Sequence, residues 1–219
     1  MSSNPSTPPL DISRLRVEYR LKTLSETDVA ADPLAQLRTW LGEAIIAKVN
    51  EPNAMTLATA TPDGAPSARM VLLKGVDEGL VFFTNYQSRK AEQLKQNPRA
   101  ALCLFWPELE RQVRVEGIVS RTSDQESEEY FNSRPPEARL GSAASPQSQV
   151  IPSREYLEER VVELLEKYPA GDVPRPPHWG GYRLVPNRAE FWQGGPGRVH
   201  DRIEYLRESG GWTIRRLAP

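Results

Sequence analysis

The run Arg69, Met70, Val71, Leu72, Leu73, Lys74 sets two cations five residues apart around an apolar centre. Strand side chains alternate between faces, so an odd spacing sends the two cations to opposite sides and leaves one of them able to face a ligand. Shortly after, Phe83 and Thr84 end an apolar stretch, and Ser88, Arg89 and Lys90 open a helical one. Free backbone N–H groups at a helix start favour an anion, as do the two cations; this fits a phosphate cradle, and the pattern alone also fits surface charge on a helix start capped by Ser88. Tyr130 and Arg134 stand four apart in a helical stretch. A phenol and a guanidinium on one helix face can grip a second phosphate or pair with each other in solvent. Farther on, Phe191 and Trp192 lead through a Gly/Pro loop to Arg198, His200 and Arg202, which share a face if the segment is a strand.

Other chemistries lack residues. With two histidines, one cysteine and no suitably spaced carboxylate pair, a catalytic metal site is not expected. No Gly-x-Ser-x-Gly turn supports a Ser/His/Asp hydrolase. His178 lies in a Pro-rich loop, whereas His200, flanked by alternating arginines, is the better functional candidate. Cys103 sits in an apolar run and reads as a small buried hydrophobe, and a single cysteine allows no disulfide within the chain. The 28 basic and 29 acidic side chains nearly cancel, so the cationic surplus of a nucleic-acid binder is missing and any basic cluster is sized for a small anion. If the chain is an enzyme, an organic cofactor is expected to carry the chemistry. Neither a leader-like N-terminus nor a membrane-length apolar run is present, which makes a reducing, cytoplasmic setting the expectation.

The elements that must position these residues follow from their periodicity. Residues 1–12 are rich in Ser and Pro and are expected to order only around a ligand or partner. Asp32 and Pro33 predict a helix over 33–49, with Leu34, Leu37, Leu41, Ala44, Ile45 and Lys48 on one face. Strands are predicted over 54–61 and 67–76, joined by an Asp63-Gly64 turn, then over 79–84, 99–106 and 110–121, with a short helix over 88–97 between them. Helices follow over 123–133 and 153–168, capped by Ser123 and Ser153, and 134–152 reads as a long loop of a kind that is commonly functional. Strands over 180–186, 188–193, 201–207 and 211–217 close the chain. Short strands in close succession argue for an antiparallel barrel, mainly β with flanking helices, an α+β chain. With no linker in sight, one domain over 31–219 preceded by a flexible arm over 1–30 is expected.

Taken in order, Arg16-Val-Glu-Tyr19, Arg69 to Lys74, Phe83-Thr-Asn85, Ser88-Arg-Lys-Ala91, Leu109-Glu-Arg-Gln-Val113, Tyr130-Phe131, Ser133-Arg-Pro135, Gln147-Ser148, Trp179-Gly-Gly181, Glu190-Phe-Trp-Gln-Gly194 and Arg198-Val-His-Asp-Arg202 make the chain similar to the pyridoxamine 5′-phosphate oxidase family over roughly residues 14–219. The resemblance implies an antiparallel FMN-binding split barrel that works as a homodimer with FMN held between subunits. It assigns Arg69, Met70, Val71, Leu72, Leu73, Lys74, Phe83, Thr84, Arg89 and Lys90 to FMN, with Gln112, Gln147, Ser148, Trp192 and Arg202 completing the site, some from the partner chain. It assigns Lys74, Tyr130 and Arg134 to the substrate phosphate, Arg198 and His200 to the pyridine ring as the catalytic pair, and Arg16 and Tyr19 to closure over it, the arm over 1–30 closing the active site.

The activity so implied is FMN-dependent oxidation of pyridoxamine or pyridoxine 5′-phosphate to pyridoxal 5′-phosphate, with dioxygen reduced to hydrogen peroxide. Another split-barrel flavin reductase and a non-catalytic pyridoxal phosphate carrier are the alternatives. One position departs from the family pattern: Ala138 stands where a Ser commonly adds to the phosphate site, leaving Ser133 or Ser142 to compensate.

Overall fold

The structure, a computed structural model, describes residues 12, 13, 15 and 17–219; Arg16 and most of the Ser/Pro-rich start lie outside the described residues. Its centre is a curled antiparallel half-barrel sheet of nine strands. These are β1 (Ala54–Ala60), β2 (Pro66–Leu72), β3 (Gly75–Val76), β4 (Leu80–Asn85), β5 (Arg99–Trp106), β6 (Arg111–Arg121), β7 (Trp179–Gln193), β8 (Asp201–Glu208) and β9 (Gly211–Arg216). Five helices flank it: α1 (Pro33–Ile46), α2 (Arg89–Gln96), α3 (Asp124–Asn132), α4 (Pro136–Ala144) and α5 (Glu155–Lys167). No described helix is long and apolar enough to cross a membrane.

The Asp32 carboxylate starts α1 by accepting from the Leu34 and Ala35 N–H groups at 2.9 and 3.0 Å. The helix stops three residues earlier than its pattern predicts, and its buried stripe is Leu34, Leu37, Trp40 and Ala44 rather than one that includes Ile45. Ile45 is 59% exposed, because Trp40, set edge-on to Phe191 at 5.2 Å, fixes which side meets the sheet. The β1–β2 hairpin turns at Gly64, whose φ of 90° suits glycine. β2 ends at Leu72 instead of running to 76; Leu73 donates to the Asn53 carbonyl, Lys74 donates to that of Val81, and the chain changes partners to form β3.

The second half of the sheet is built around β7. Two strands are predicted here, but β7 is continuous for 15 residues, pairing with β6 along its length, with β4 through its first part and with β8 through its last. Pro186 is tolerated because the register shifts between Glu116 and Gly117, leaving Asn187 as the extra residue of a bulge that absorbs the missing donor. Ser123 and Glu126 form a reciprocal capping box that starts α3. Part of the predicted long loop is instead α4, started by Pro136 at its first position; burying only Leu140 and Ala144, it leaves little periodic signal.

The main core gathers the inward residues of the strands, among them Met55, Leu57, Phe82, Leu102, Leu104, Val113, Phe191 and Tyr205, all fully buried. A second cluster of Phe131, Leu140, Val173 and Trp179 sits beneath α3 and α4. Cys103 is half-buried rather than buried, because alternate residues of β5 face away from the core.

Candidate active site

A cavity of about 650 Å³ opens where β2, β4, α2, α3 and α4 converge, within the size range of small-molecule sites. Lys74, Lys90 and Arg134 line it, together with Met70, Val71, Leu72, Phe83, Thr84, Asn85, Tyr130, Ala138, Ser142, Ser145, Gln147 and Trp179, and no Asp or Glu is among the lining residues. Three cations without an acid in a half-enclosed space make an anion site.

At one end the Lys90 ammonium donates to Gln147 Oε1 at 2.8 Å and Thr84 Oγ1 at 3.1 Å, both neutral acceptors. Burial, and then the nearby Arg69 charge, lowers its pKa to about 8. The Arg69 guanidinium donates to Thr59 Oγ1 at 2.6 Å, the Leu57 carbonyl at 3.1 Å and Gln93 Oε1 at 3.3 Å. Its own pKa is pushed down by burial and by Arg89. Arg69 and Lys90, close together with only neutral hydrogen-bond partners and with Arg89 nearby, suit a phosphate. Ser148 is exposed beside Gln147 at a φ of 70°, and Leu73 is buried in the core rather than lining the cavity.

At the other end, three rings are layered. Phe83 stacks on Tyr130 with centroids 4.0 Å apart and on Trp179 at 5.6 Å. The Arg134 guanidinium lies 4.9 Å from the Trp179 ring centre, and Lys74 Nζ lies 6.0 Å from that of Tyr130. Arg134 donates to Ser142 Oγ at 2.7 Å and has no carboxylate partner among the described residues; burial lowers its pKa. Lys74, Tyr130 and Arg134 thus converge on one cavity. Ser133 does not join them, since its exposed hydroxyl donates to the Tyr130 carbonyl.

The remaining predicted residues form a second group. Gln112, Trp192 and Arg202 are register partners across β6, β7 and β8, so they make one row on one face of the sheet. The His200 ring lies 4.7 Å from Trp192, and its Nδ1 accepts from the Gly195 N–H at 3.2 Å, which leaves the neutral ring's proton on Nε2. The Arg202 guanidinium grips Glu190 through two bonds, of 2.9 and 3.0 Å, and donates to the Ala218 carbonyl. Arg198 is not on a strand, so the expected shared face is not formed: it ends a 3-10 turn, Pro196–Arg198, exposed and at a φ of 63°. None of this row, nor Arg198 or His200, lines the cavity within the one chain.

Tyr19 sets its ring edge-on to Trp192 at 5.5 Å. The segment carrying it is pinned by Glu110, whose Oε2 accepts from the Arg20 and Leu21 N–H groups at 2.9 and 3.0 Å. The sequence assigns no role to Trp179, Ser145 or Glu110, although Trp179 and Glu110 lie within motifs that carry the family resemblance. Among the described residues no group of His, Cys, Asp and Glu could hold a metal ion.

Residues 41–168 match the family described as pyridoxamine 5′-phosphate oxidase, and residues 179–219 match a pyridoxine 5′-phosphate oxidase C-terminal dimerisation region. A pyridoxine/pyridoxamine 5′-phosphate oxidase of Cupriavidus necator is 57% identical over 210 residues, covering 95% of this chain and 99% of the relative. One of Nostoc punctiforme is 54% identical over 210 residues, covering 95% and 98%. Among solved structures, PhzG from Burkholderia lata in complex with tetrahydrophenazine-1-carboxylic acid superposes with a TM-score of 0.86 at 34% identity, covering 91% of this chain and 99% of that one. In sequence along nearly its whole length, and in its curled antiparallel sheet, the chain belongs to the pyridoxamine 5′-phosphate oxidase family, whose fold is the FMN-binding split barrel.

Proposed function

We propose that this chain is an FMN-dependent oxidase that converts pyridoxamine 5′-phosphate and pyridoxine 5′-phosphate to pyridoxal 5′-phosphate, using dioxygen and releasing hydrogen peroxide. The observation that carries the reading is the acid-free cavity, with Lys90 at one end, Arg69 close to it, and Lys74 and Arg134 at the other. Two groups of cations, Lys90 with Arg69 and Lys74 with Arg134, suit two phosphate groups, one on the flavin and one on the vitamer.

Bound FMN supplies a two-electron acceptor that dioxygen can reoxidise. Arg69, Arg89, Lys90 and Thr84 would hold its phosphate, Gln147 and Ser148 would close that end, and Met70, Val71, Leu72 and Lys74 with Phe83 would flank the rest. Lys74, Tyr130 and Arg134 bind the substrate phosphate and so fix the distance of its reacting carbon from the cofactor. Gln112, Trp192 and Arg202, with Arg198 and His200, lie outside this cavity, and the reading brings them to it from a second copy in a homodimer. His200, with Nδ1 already an acceptor, presents its Nε2 proton to the pyridine ring, and Arg198 adds positive charge where the substrate develops negative charge. The arm over 1–30, through Arg16 and Tyr19, closes the site and excludes water.

The test is to purify the chain, record its visible spectrum, determine its mass in solution and follow peroxide with the amine, the alcohol and a reduced tricyclic carboxylic acid. A yellow dimer that releases peroxide with the two vitamers is expected. Peroxide from the tricyclic acid alone would transfer the function toward the PhzG-like reaction. A protein that binds pyridoxal phosphate but turns nothing over would be a carrier.

A further inference from the structure

We infer that Ser142, one helical turn beyond Ala138, supplies the hydroxyl that holds the phosphate of a phosphate-monoester substrate in this cavity. The inference rests on the function proposed above. Ala138 and Ser142 lie four apart on α4 and both line the cavity, so they occupy one stripe of the same wall. Ala138 offers only a methyl group. Ser142 Oγ accepts from Arg134 Nη1 at 2.7 Å. A hydroxyl has one proton to give as well as lone pairs to receive, and among the described residues no acceptor takes the Ser142 proton.

That proton therefore remains for whatever anion Arg134 binds. The arrangement also fixes the guanidinium, which is held on one side by Ser142 and on its face by Trp179, with its other donors left to the ligand. Guanidinium and hydroxyl then make a two-point contact that a phosphate with several acceptor oxygens satisfies and an unphosphorylated alcohol does not. Ser133, beside Arg134 in the chain, is excluded by its geometry because its proton is already given to the Tyr130 carbonyl, and of the two serines that line the cavity, Ser142 and Ser145, it is Ser142 that Arg134 bonds. A hydroxyl moved by four residues is displaced about 6 Å along the helix axis, so the phosphate is drawn toward the C-terminal half of α4.

The test measures equilibrium binding of pyridoxal 5′-phosphate and of phosphate-free pyridoxal to the FMN-loaded protein. For Ser142→Ala, Kd for pyridoxal 5′-phosphate should rise about tenfold, the scale of one hydrogen bond to a charged group. Pyridoxal and FMN binding should be unchanged, KM for the phosphorylated substrate should rise with kcat held, and Ser142→Thr should retain most of the affinity. The double variant Ala138→Ser/Ser142→Ala should recover part of the loss, while Ser133→Ala should match the wild type. An unchanged Kd in Ser142→Ala, or equal weakening toward pyridoxal and FMN, would overturn the inference alone. A wild-type protein that does not bind pyridoxal 5′-phosphate would overturn the proposed function and this inference with it.

Discussion

The Lys90 ammonium donates to the Gln147 side-chain carbonyl at 2.8 Å, tying the first turn of α2 to the segment that follows α4. Both partners line the cavity, and neither carries the negative charge that a half-buried lysine needs. Burial, and then the adjacent Arg69 charge, lower the Lys90 pKa to about 8 from its ordinary value of 10.5.

The first prediction concerns pH. A bound phosphate needs the charged ammonium, so FMN affinity should fall as pH rises through about 8. The stability of the flavin-free protein should move the opposite way. Between about 8 and 10.5 the unfolded chain holds the Lys90 proton more tightly than the folded one, so this group's contribution to stability rises with pH. Flavin titrations and urea melts over pH 7–10 check both signs, and Lys90→Met should flatten the two trends together. Parallel trends would rule out Lys90 as their source.

The second prediction concerns the N-terminal segment. Glu110 is nearly buried, yet its carboxylate holds two consecutive backbone N–H groups, and this places the Tyr19 ring against Trp192. A Cβ on Gly194 would come within 2.7 Å of that ring, so glycine is required beneath it. Glu110→Ala should free residues 17–23 without melting the sheet: protease cleavage there accelerates several-fold, tryptophan emission shifts, and the main unfolding transition moves little. Protection equal to wild type would show that other contacts suffice.

The third prediction is a stability test of the β7 bulge. Gly117 faces the Val185 carbonyl so closely that an added Cβ would lie 2.1 Å from its oxygen, with backbone rather than a yielding side chain in the way. Gly117→Ala should cost about 3 kcal/mol, at the upper end of overpacking, and lower Tm by several degrees. A neutral result in urea melts would mean that the bulge relaxes.

How much of this was readable beforehand depends on whether the signal was local. The hairpin turn at Gly64, the Asp32 cap and the Ser123 capping box are local chemistry, and each forms as its residues dictate. The helix α4 was not readable, because two prolines, a glycine and only two buried side chains leave no periodic stripe. The alternation of Arg198, His200 and Arg202 misled for a related reason: Gly195, Pro196 and Gly197 build a turn that carries Arg198 off the strand. In the site, Lys74, Lys90, Tyr130 and Arg134 were legible as cations and a phenol at useful spacings, and the cavity brings them together. Trp179 was not, since its value lies in stacking on Phe83 that only the folded chain creates; Ser142 was legible only as one of two serines near Ala138, and its contact with Arg134 is what separates it from Ser133.

The last prediction turns on backbone strain. Arg198 holds a φ of 63° directly after Gly197 at 62°, a region that costs a non-glycine residue on the order of 1 kcal/mol. Its side chain is exposed and donates to no described residue, so no contact repays that cost. A strained, unpartnered arginine beside a histidine whose ring is already oriented is better explained by a ligand than by stability. Arg198→Gly should therefore leave Tm equal or slightly raised and keep the flavin spectrum, while peroxide release with either vitamer falls at least a hundredfold. Arg198→Lys should recover little, because an ammonium cannot reproduce the planar fork. Wild-type turnover in Arg198→Gly would remove the residue from the reaction and return its backbone conformation to loop geometry alone.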